Sequence, residues 1–154
     1  MQKLTTWLWF DTEAQEAAEF YTSIFPDARI TNITHYGEAG PRPAGMVMTV
    51  SFEIFGREFS CLNGGSNAQI DEGPGISFMV ECEDQAEVDR YWEKLADGGA
   101  EIACGWVTDR YGVSWQIVPK QLFELMRGEK GQQVMAAMLK MTKIEVAELE
   151  AAAA

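Results

Sequence analysis

The chain has 154 residues and 17.2 kDa, with 24 Asp+Glu against 12 Lys+Arg and one His, a formal net charge of −12. Its 47% apolar and 23% charged content is that of one globular domain, or two small halves sharing one core, long enough to need no disulfide or metal staple. Two acids for every base exclude non-specific attraction to phosphate backbones or anionic lipid, so neither nucleic acid nor a membrane surface is expected as a partner.

Residues 5–10 (TTWLWF) are short, aromatic and β-branched, the pattern of a buried strand. Asp11 or Thr12 offers a helix N-cap, with Glu13 and Glu16 in the first turn. Ala17, Phe20, Tyr21, Ile24 and Phe25 then form one apolar stripe, and Pro26 stops the helix. Residues 28–36 read as a second strand and 37–45 (GEAGPRPAG) as a loop. Residues 46–54 and 58–62 alternate across Phe55-Gly56-Arg57, a hairpin signal. The Gly- and Asn-rich stretch 63–75 reads as a hinge.

The pattern then recurs. Residues 75–82 (GISFMVEC) predict a strand, and Asp84 caps a helix with Val88, Tyr91, Trp92 and Leu95 on one face, ending at Gly98-Gly99. Residues 102–107 and 113–118 predict strands around the turn Asp109-Arg110-Tyr111-Gly112. Aligning Phe20-Tyr21 with Tyr91-Trp92 gives an internal period of about 70 residues, a strand–helix–three-strand unit used twice. Beyond Pro119 the chain turns helical. Leu122, Phe123 and Met126 form a patch before Gly128, and a helix from about 132 carries Val134, Met135, Met138, Leu139, Met141, Ile144 and Leu149. Residues 151–154 are expected to fray. The expected fold is α+β, with βαβββ modules at 1–65 and 66–118 and a helical tail at 119–154.

Cys61, Cys82 and Cys104 are odd in number and far apart, which implies no disulfide framework and suits a reducing, cytoplasmic compartment. No CxxC or CxxH spacing occurs, so common structural zinc sites drop out. No apolar run approaches the roughly 20 residues of a membrane span. The N-terminal run, with Lys3 alone before Asp11 and Glu13, is not expected to be a signal peptide.

The segments WLWFDTEAQEAAEFYTSIFPDARI, LNGG (62–65), CGWVTDRYGVSWQIVP (104–119) and VMAAMLKMTKIEVAELEAA resemble one family. It is the PhnB-like branch of the vicinal oxygen chelate superfamily, the glyoxalase, bleomycin-resistance and extradiol-dioxygenase fold. Many members carry the name 3-demethylubiquinone-9 3-methyltransferase. The resemblance runs from Leu4 to about Ala152 and implies paired βαβββ modules, a cupped sheet around a cavity and a homodimer. Superfamily metalloenzymes hold one divalent ion with His and Glu from the first and last strands of each module. Carried over by pattern, those positions fall at Thr5, Cys61, Ser77 and Gln116, two hydroxyls, an amide and a thiol, a weak donor set for such an ion. His35 lies on the second strand, away from all four. No cofactor is implied. A methyl donor usually sits over a Gly-rich strand-to-helix turn, whereas the first strand here runs into Asp11-Thr12-Glu13.

Strand alternation places Trp7 and Trp9 on the face of Thr5, and Ser114 and Val118 on the face of Gln116. A cup lined by Thr5, Trp7, Trp9, Cys61, Ser77 and Gln116 suits a flat aromatic or apolar ligand; alternatively the tryptophans simply fill the core. Cys61 and Cys104 lack the basic neighbour that a reactive thiolate needs. Asp109 and Gly112 have sufficient structural reasons in their turn, Arg110 offers contact to an anionic ligand, and Glu53, Glu58, Glu81 and Glu83 read as a solvated acidic face. Met135, Met138 and Met141 suit packing on a sheet or across a dimer. The tail's apolar stripe, too long to be left exposed, points to a two-fold homodimer. Three functions follow in order: a small-molecule-binding protein without a metal; a metal-dependent lyase, isomerase or dioxygenase; and a methyltransferase.

Overall fold

A computed structural model describes residues 3–66 and 76–154, and the chain divides into two compact units, 1–70 and 71–154. Most of the expected hinge at 63–75 lies outside the described residues.

The first unit is a βαβββ module: β1 (Thr6–Phe10), α1 (Ala14–Ile24), β2 (Arg29–His35), β3 (Val47–Ile54) and β4 (Arg57–Asn63). Its sheet has the order β1-β4-β3-β2, with β1 parallel to β4 and the other pairs antiparallel. Alternation sends Leu8, Phe10, Phe59, Cys61, Val50 and Phe52 to the buried face, where the apolar stripe of α1 meets them. Tyr21 of α1 stacks on Phe52 with centroids 5.9 Å apart, and Phe52 stacks on Phe59 at 5.3 Å. The hairpin turn is shorter than expected. Phe55 and Gly56 both take left-handed angles (φ 50° and 73°), a two-residue turn whose hand matches the strand twist.

The start of α1 differs from the sequence reading. Neither Asp11 nor Thr12 caps it; Glu13 holds the cap position and makes no side-chain cap bond. The acceptor comes from β4 instead. Asn63, buried, accepts the Ala14 N–H at Oδ1 (2.8 Å) and donates from Nδ2 to the Val47 carbonyl (3.1 Å). Such a tertiary cap leaves no local signature in sequence.

The second unit repeats the module: β5 (Ser77–Cys82), α2 (Gln85–Ala96), β6 (Ala100–Glu101), β7 (Trp106–Thr108) and β8 (Ser114–Pro119), in the order β5-β8-β7-β6. Here the local cap holds. Asp84 Oδ1 accepts Glu87 N–H (2.9 Å), and Glu87 Oε2 accepts Glu83 N–H (2.8 Å), a variant of the capping box whose return bond reaches the residue before the cap. Val88, Tyr91, Trp92 and Leu95 are buried on the sheet face of Val80, Cys82, Val107, Trp115 and Ile117. The strand expected at 102–107 is broken by a 3-10 turn at Ala103–Gly105, leaving only Trp106–Thr108 as β7.

The tail belongs to this second unit as α3 (Lys120–Met126), α4 (Gly131–Met138) and α5 (Val146–Ala153). The single long helix expected from 132 is therefore two helices, with α5 continuing to Ala153. Between them the Met141 and Thr142 carbonyls accept the N–H groups of Cys104 (2.9 Å) and Gly105 (2.8 Å). A helix could not present these consecutive carbonyls outward. Both Cys104 and Gly105 are left-handed (φ 63° and 83°), which turns their N–H groups to one side. Gly105 has a second reason to be glycine: a Cβ there would lie 2.9 Å from the Ile117 carbonyl and from Ile144. The tail's stripe is spent within the unit, in a buried cluster of Val118, Leu122, Val134, Met141, Ile144 and Leu149.

Candidate functional site

The sheet face turned away from α1 carries Trp7 and Trp9, 56% and 37% exposed, with Thr5 half-buried just before β1. Cys61 is not on that face. It pairs with Leu8 across the parallel β1/β4 ladder, fully buried on the α1 side, and Ser60 and Leu62 take the positions beside Trp7 and Trp9. The misplacement is a one-residue slip in register, which in a strand exchanges faces. Burial pushes the Cys61 thiol up to about 12, so it is protonated and unreactive at neutral pH. The LNGG motif has a structural account. Asn63 caps α1, Gly64 lies so close to the Trp9 indole that a Cβ would come within 2.2 Å of it, and the Gly65 carbonyl accepts Trp9 Nε1–H (2.7 Å).

In the second unit Ser77 and Gln116 are brought together: Gln116 Nε2 donates to Ser77 Oγ (2.9 Å) on the face away from α2. That face is partly covered, forming an open-mouthed chamber. Met79 and Val118 extend it, and α3 lies over it with Leu122, Phe123 and Met126. Arg127 at the end of α3, Met138 at the end of α4 and Cys104 from the left-handed corner complete a chamber of about 550 Å³. Met79 remains 49% exposed at its wall. The volume lies within the roughly 300–1,000 Å³ range of small-molecule pockets, and the lining has their usual mixture, apolar with few polar groups. Strand alternation pointed to Val118, and Leu122, Phe123 and Met126 were visible as a patch; Met79 was missed, although it lies two residues from Ser77 on the same strand. What the sequence could not show is that the patch folds back over Gln116.

The remaining candidates resolve as structural groups. Asp109, 3% exposed, accepts from Tyr111 N–H (2.8 Å), Val113 N–H (3.1 Å) and Trp115 Nε1–H (2.8 Å). Gly112 beside it takes φ 86°. Arg110 is tied to Asp97 at 3.0 Å, His35 sits exposed at the end of β2, and Glu53, Glu58 and Glu83 pair with Arg29, Lys3 and Lys120. Among the described residues no group of three or more His, Cys, Asp or Glu gathers as a metal would require. The donor chemistry at the superfamily's four positions does not fit a divalent ion either. Thr5 and Ser77 are neutral hydroxyls, Gln116 offers only a neutral amide oxygen, and the Cys61 thiol is protonated and faces α1.

Residues 2–118 match the family described as 3-demethylubiquinone-9 3-methyltransferase. The chain is 38% identical to a putative 3-demethylubiquinone-9 3-methyltransferase, PhnB protein, from Bacillus cereus, with a TM-score of 0.69 over 77% of this chain and 99% of that one. Protein PA1353 from Pseudomonas aeruginosa shares 20% identity at TM-score 0.63, covering 77% of this chain and 98% of its own. The fosfomycin resistance protein FosX from Mesorhizobium loti shares 13% at TM-score 0.55, covering 76% and 90%, a likeness of fold alone. No curated protein matches. The family match stops within β8, so α3, α4 and α5 lie beyond it. The chain belongs to the PhnB-like family described as 3-demethylubiquinone-9 3-methyltransferase, with an α+β fold that it shares with FosX.

Proposed function

We propose that this is a small-molecule-binding protein whose ligand occupies the chamber over the second unit's sheet, held without a metal. The observation that carries this reading is the 550 Å³ chamber itself, with Met79, Val118, Leu122 and Phe123 as apolar walls and Gln116 as a polar group among them. Gln116 and its partner Ser77 are the ligand-binding residues of choice in the second unit, while Thr5, Trp7 and Trp9 give the first unit an aromatic candidate face of its own. Cys61 leaves that set. A metal-dependent lyase, isomerase or dioxygenase reaction is disfavoured by the donor set described above. Methyl transfer, as in the family's name, is disfavoured by β1 running into Asp11-Thr12-Glu13 with no glycine to bring a backbone against a donor.

The neutral fluorescent probe N-phenyl-1-naphthylamine tests the reading. It should bind saturably with its emission blue-shifted, and Met138→Trp, which fills the chamber, should abolish the response while leaving thermal stability within a few degrees. Binding unaltered by Met138→Trp would remove the chamber from consideration. We further propose a cytoplasmic homodimer. The three free cysteines suit a reducing compartment, and Leu4 and Trp7, 97% and 56% exposed, supply apolar surface for a second copy. Light scattering at micromolar concentration should report twice the chain mass. Among the described residues no helix is long and apolar enough to cross a membrane.

A further inference from the structure

We propose that the chamber takes a monoanionic, largely apolar ligand, an aromatic or branched carboxylic acid, whose carboxylate pairs with Arg127. This rests on the chamber being a small-molecule site and adds the charge of what it holds.

Among the described residues that line the chamber, Arg127 alone is charged. Its Nε donates to the Phe123 carbonyl (3.0 Å), which fixes the guanidinium against the end of α3 and leaves both Nη groups as donors. Among the described residues no carboxylate lies within 4.0 Å of it, although the chain has two acids for every base. The neighbouring cation Lys120 is already paired with Glu83. A basic residue at a helix C-terminus is favoured by the helix dipole whatever lies near it. What makes this one an anchor is the wall it stands beside, Phe123, Met126 and Met138, with no carboxylate among the described residues in ion-pair contact with it. A planar guanidinium matches a carboxylate through two parallel hydrogen bonds, which an ammonium cannot do.

The same geometry limits the charge to one. A second hollow of about 280 Å³ shares Phe123 and Arg127 with the chamber and is otherwise lined by Glu81, Glu124 and Lys120. Lys120 pairs with Glu83, so Glu81 and Glu124 outweigh Arg127 and leave this hollow net acidic toward any further negative charge. A phosphate monoester, a dianion above neutral pH, is therefore rejected where a carboxylate is accepted.

Three probes of one shape separate the possibilities: 2-naphthoate, 2-naphthalenemethanol and 2-naphthyl phosphate, titrated at pH 8 and low salt against the full chain carrying ¹³C-methyl methionine. Arg127 is exposed, so the preference should be modest: naphthoate should bind about three- to tenfold more tightly than the alcohol, as followed at Met79, Met126 and Met138. The phosphate should bind no more tightly than the alcohol. Arg127→Gln, a surface change that leaves the core intact, should bring naphthoate and alcohol to equal affinity, and rising salt should do the same to the parent chain. Equal binding of naphthoate and alcohol by the parent chain, or a preference unmoved by Arg127→Gln, would overturn the anion assignment while leaving the chamber as a small-molecule site. Tightest binding of the phosphate would overturn the single charge. Failure of all three probes to move these methyls would overturn the chamber reading, and this inference with it.

Discussion

Gln85, at the start of α2, is the clip that holds the tail's last helix. Its Nε2 donates to the Ile144 carbonyl (3.0 Å) and its Oε1 accepts the Val146 N–H (2.7 Å), so one side chain satisfies two backbone groups where α5 begins. Gln85→Ala removes both. At roughly 1 kcal/mol net per bond the loss is about 2 kcal/mol, or about thirtyfold in the equilibrium for opening this segment. The tail should still dock, because the Met141 and Thr142 carbonyls keep the Cys104 and Gly105 N–H groups and because Val134, Ile144 and Leu149 remain fully buried. Hydrogen exchange read by NMR isolates the effect. The Val146 amide should exchange about thirty times faster in Gln85→Ala, with its neighbours in the first turn of α5 following. Amides of β3 and β4 in the first unit should not change. An unchanged Val146 amide would refute the clip.

Asp109→Ala strips three donors of a buried acceptor, including the Val113 N–H and Trp115 Nε1–H, and should cost about 3 kcal/mol in urea denaturation with an unchanged slope; Asp109→Asn, which turns a donor toward Trp115, should cost less but not nothing. Burial raises the Cys61 and Cys82 thiols from 9.0 to about 12, with the Glu87 charge adding to the effect at Cys82. Their unfolded forms lose protons first, so this contribution is complete below pH 9 and is lost as pH rises from 9 through 12; Cys61→Ala should lessen the fall measured across that window. The donor set at Thr5, Ser77 and Gln116 predicts that EDTA leaves the thermal midpoint unchanged, whereas about one transition metal per chain, lost with stability in Gln116→Ala, would contradict it.

The modules were legible because their signals are local: strand alternation around Leu8 and Phe10, the helical stripe at Val88, Tyr91, Trp92 and Leu95, and the Asp84/Glu87 box. The failures are those where a distant group decides a local conformation. Asn63 caps a helix 49 residues earlier in the chain, so Asp11 and Thr12 looked like better caps than they are. The Cys104–Gly105 corner divides both a predicted strand and a predicted helix, since each meets the other there. Cys61 shows how little error a strand tolerates: one residue moved it from the candidate site to the core. Ser77 and Gln116, named together through the family resemblance, meet across β5 and β8, but the tail over their face carries only an apolar periodicity, which suits a dimer interface as well as a fold back onto its own sheet.

The central claim is that the tail-covered face of the second sheet binds a small molecule. Methionine methyl NMR of the full chain, titrated with N-phenyl-1-naphthylamine, tests it most directly, because Met79, Met126 and Met138 line the chamber while Met46 and Met48 lie in the first unit. The account predicts saturable shifts of the three chamber methyls at one probe affinity, with Met46 and Met48 unmoved. Saturable binding that shifts only the first-unit methionines, or none of the five, would contradict it.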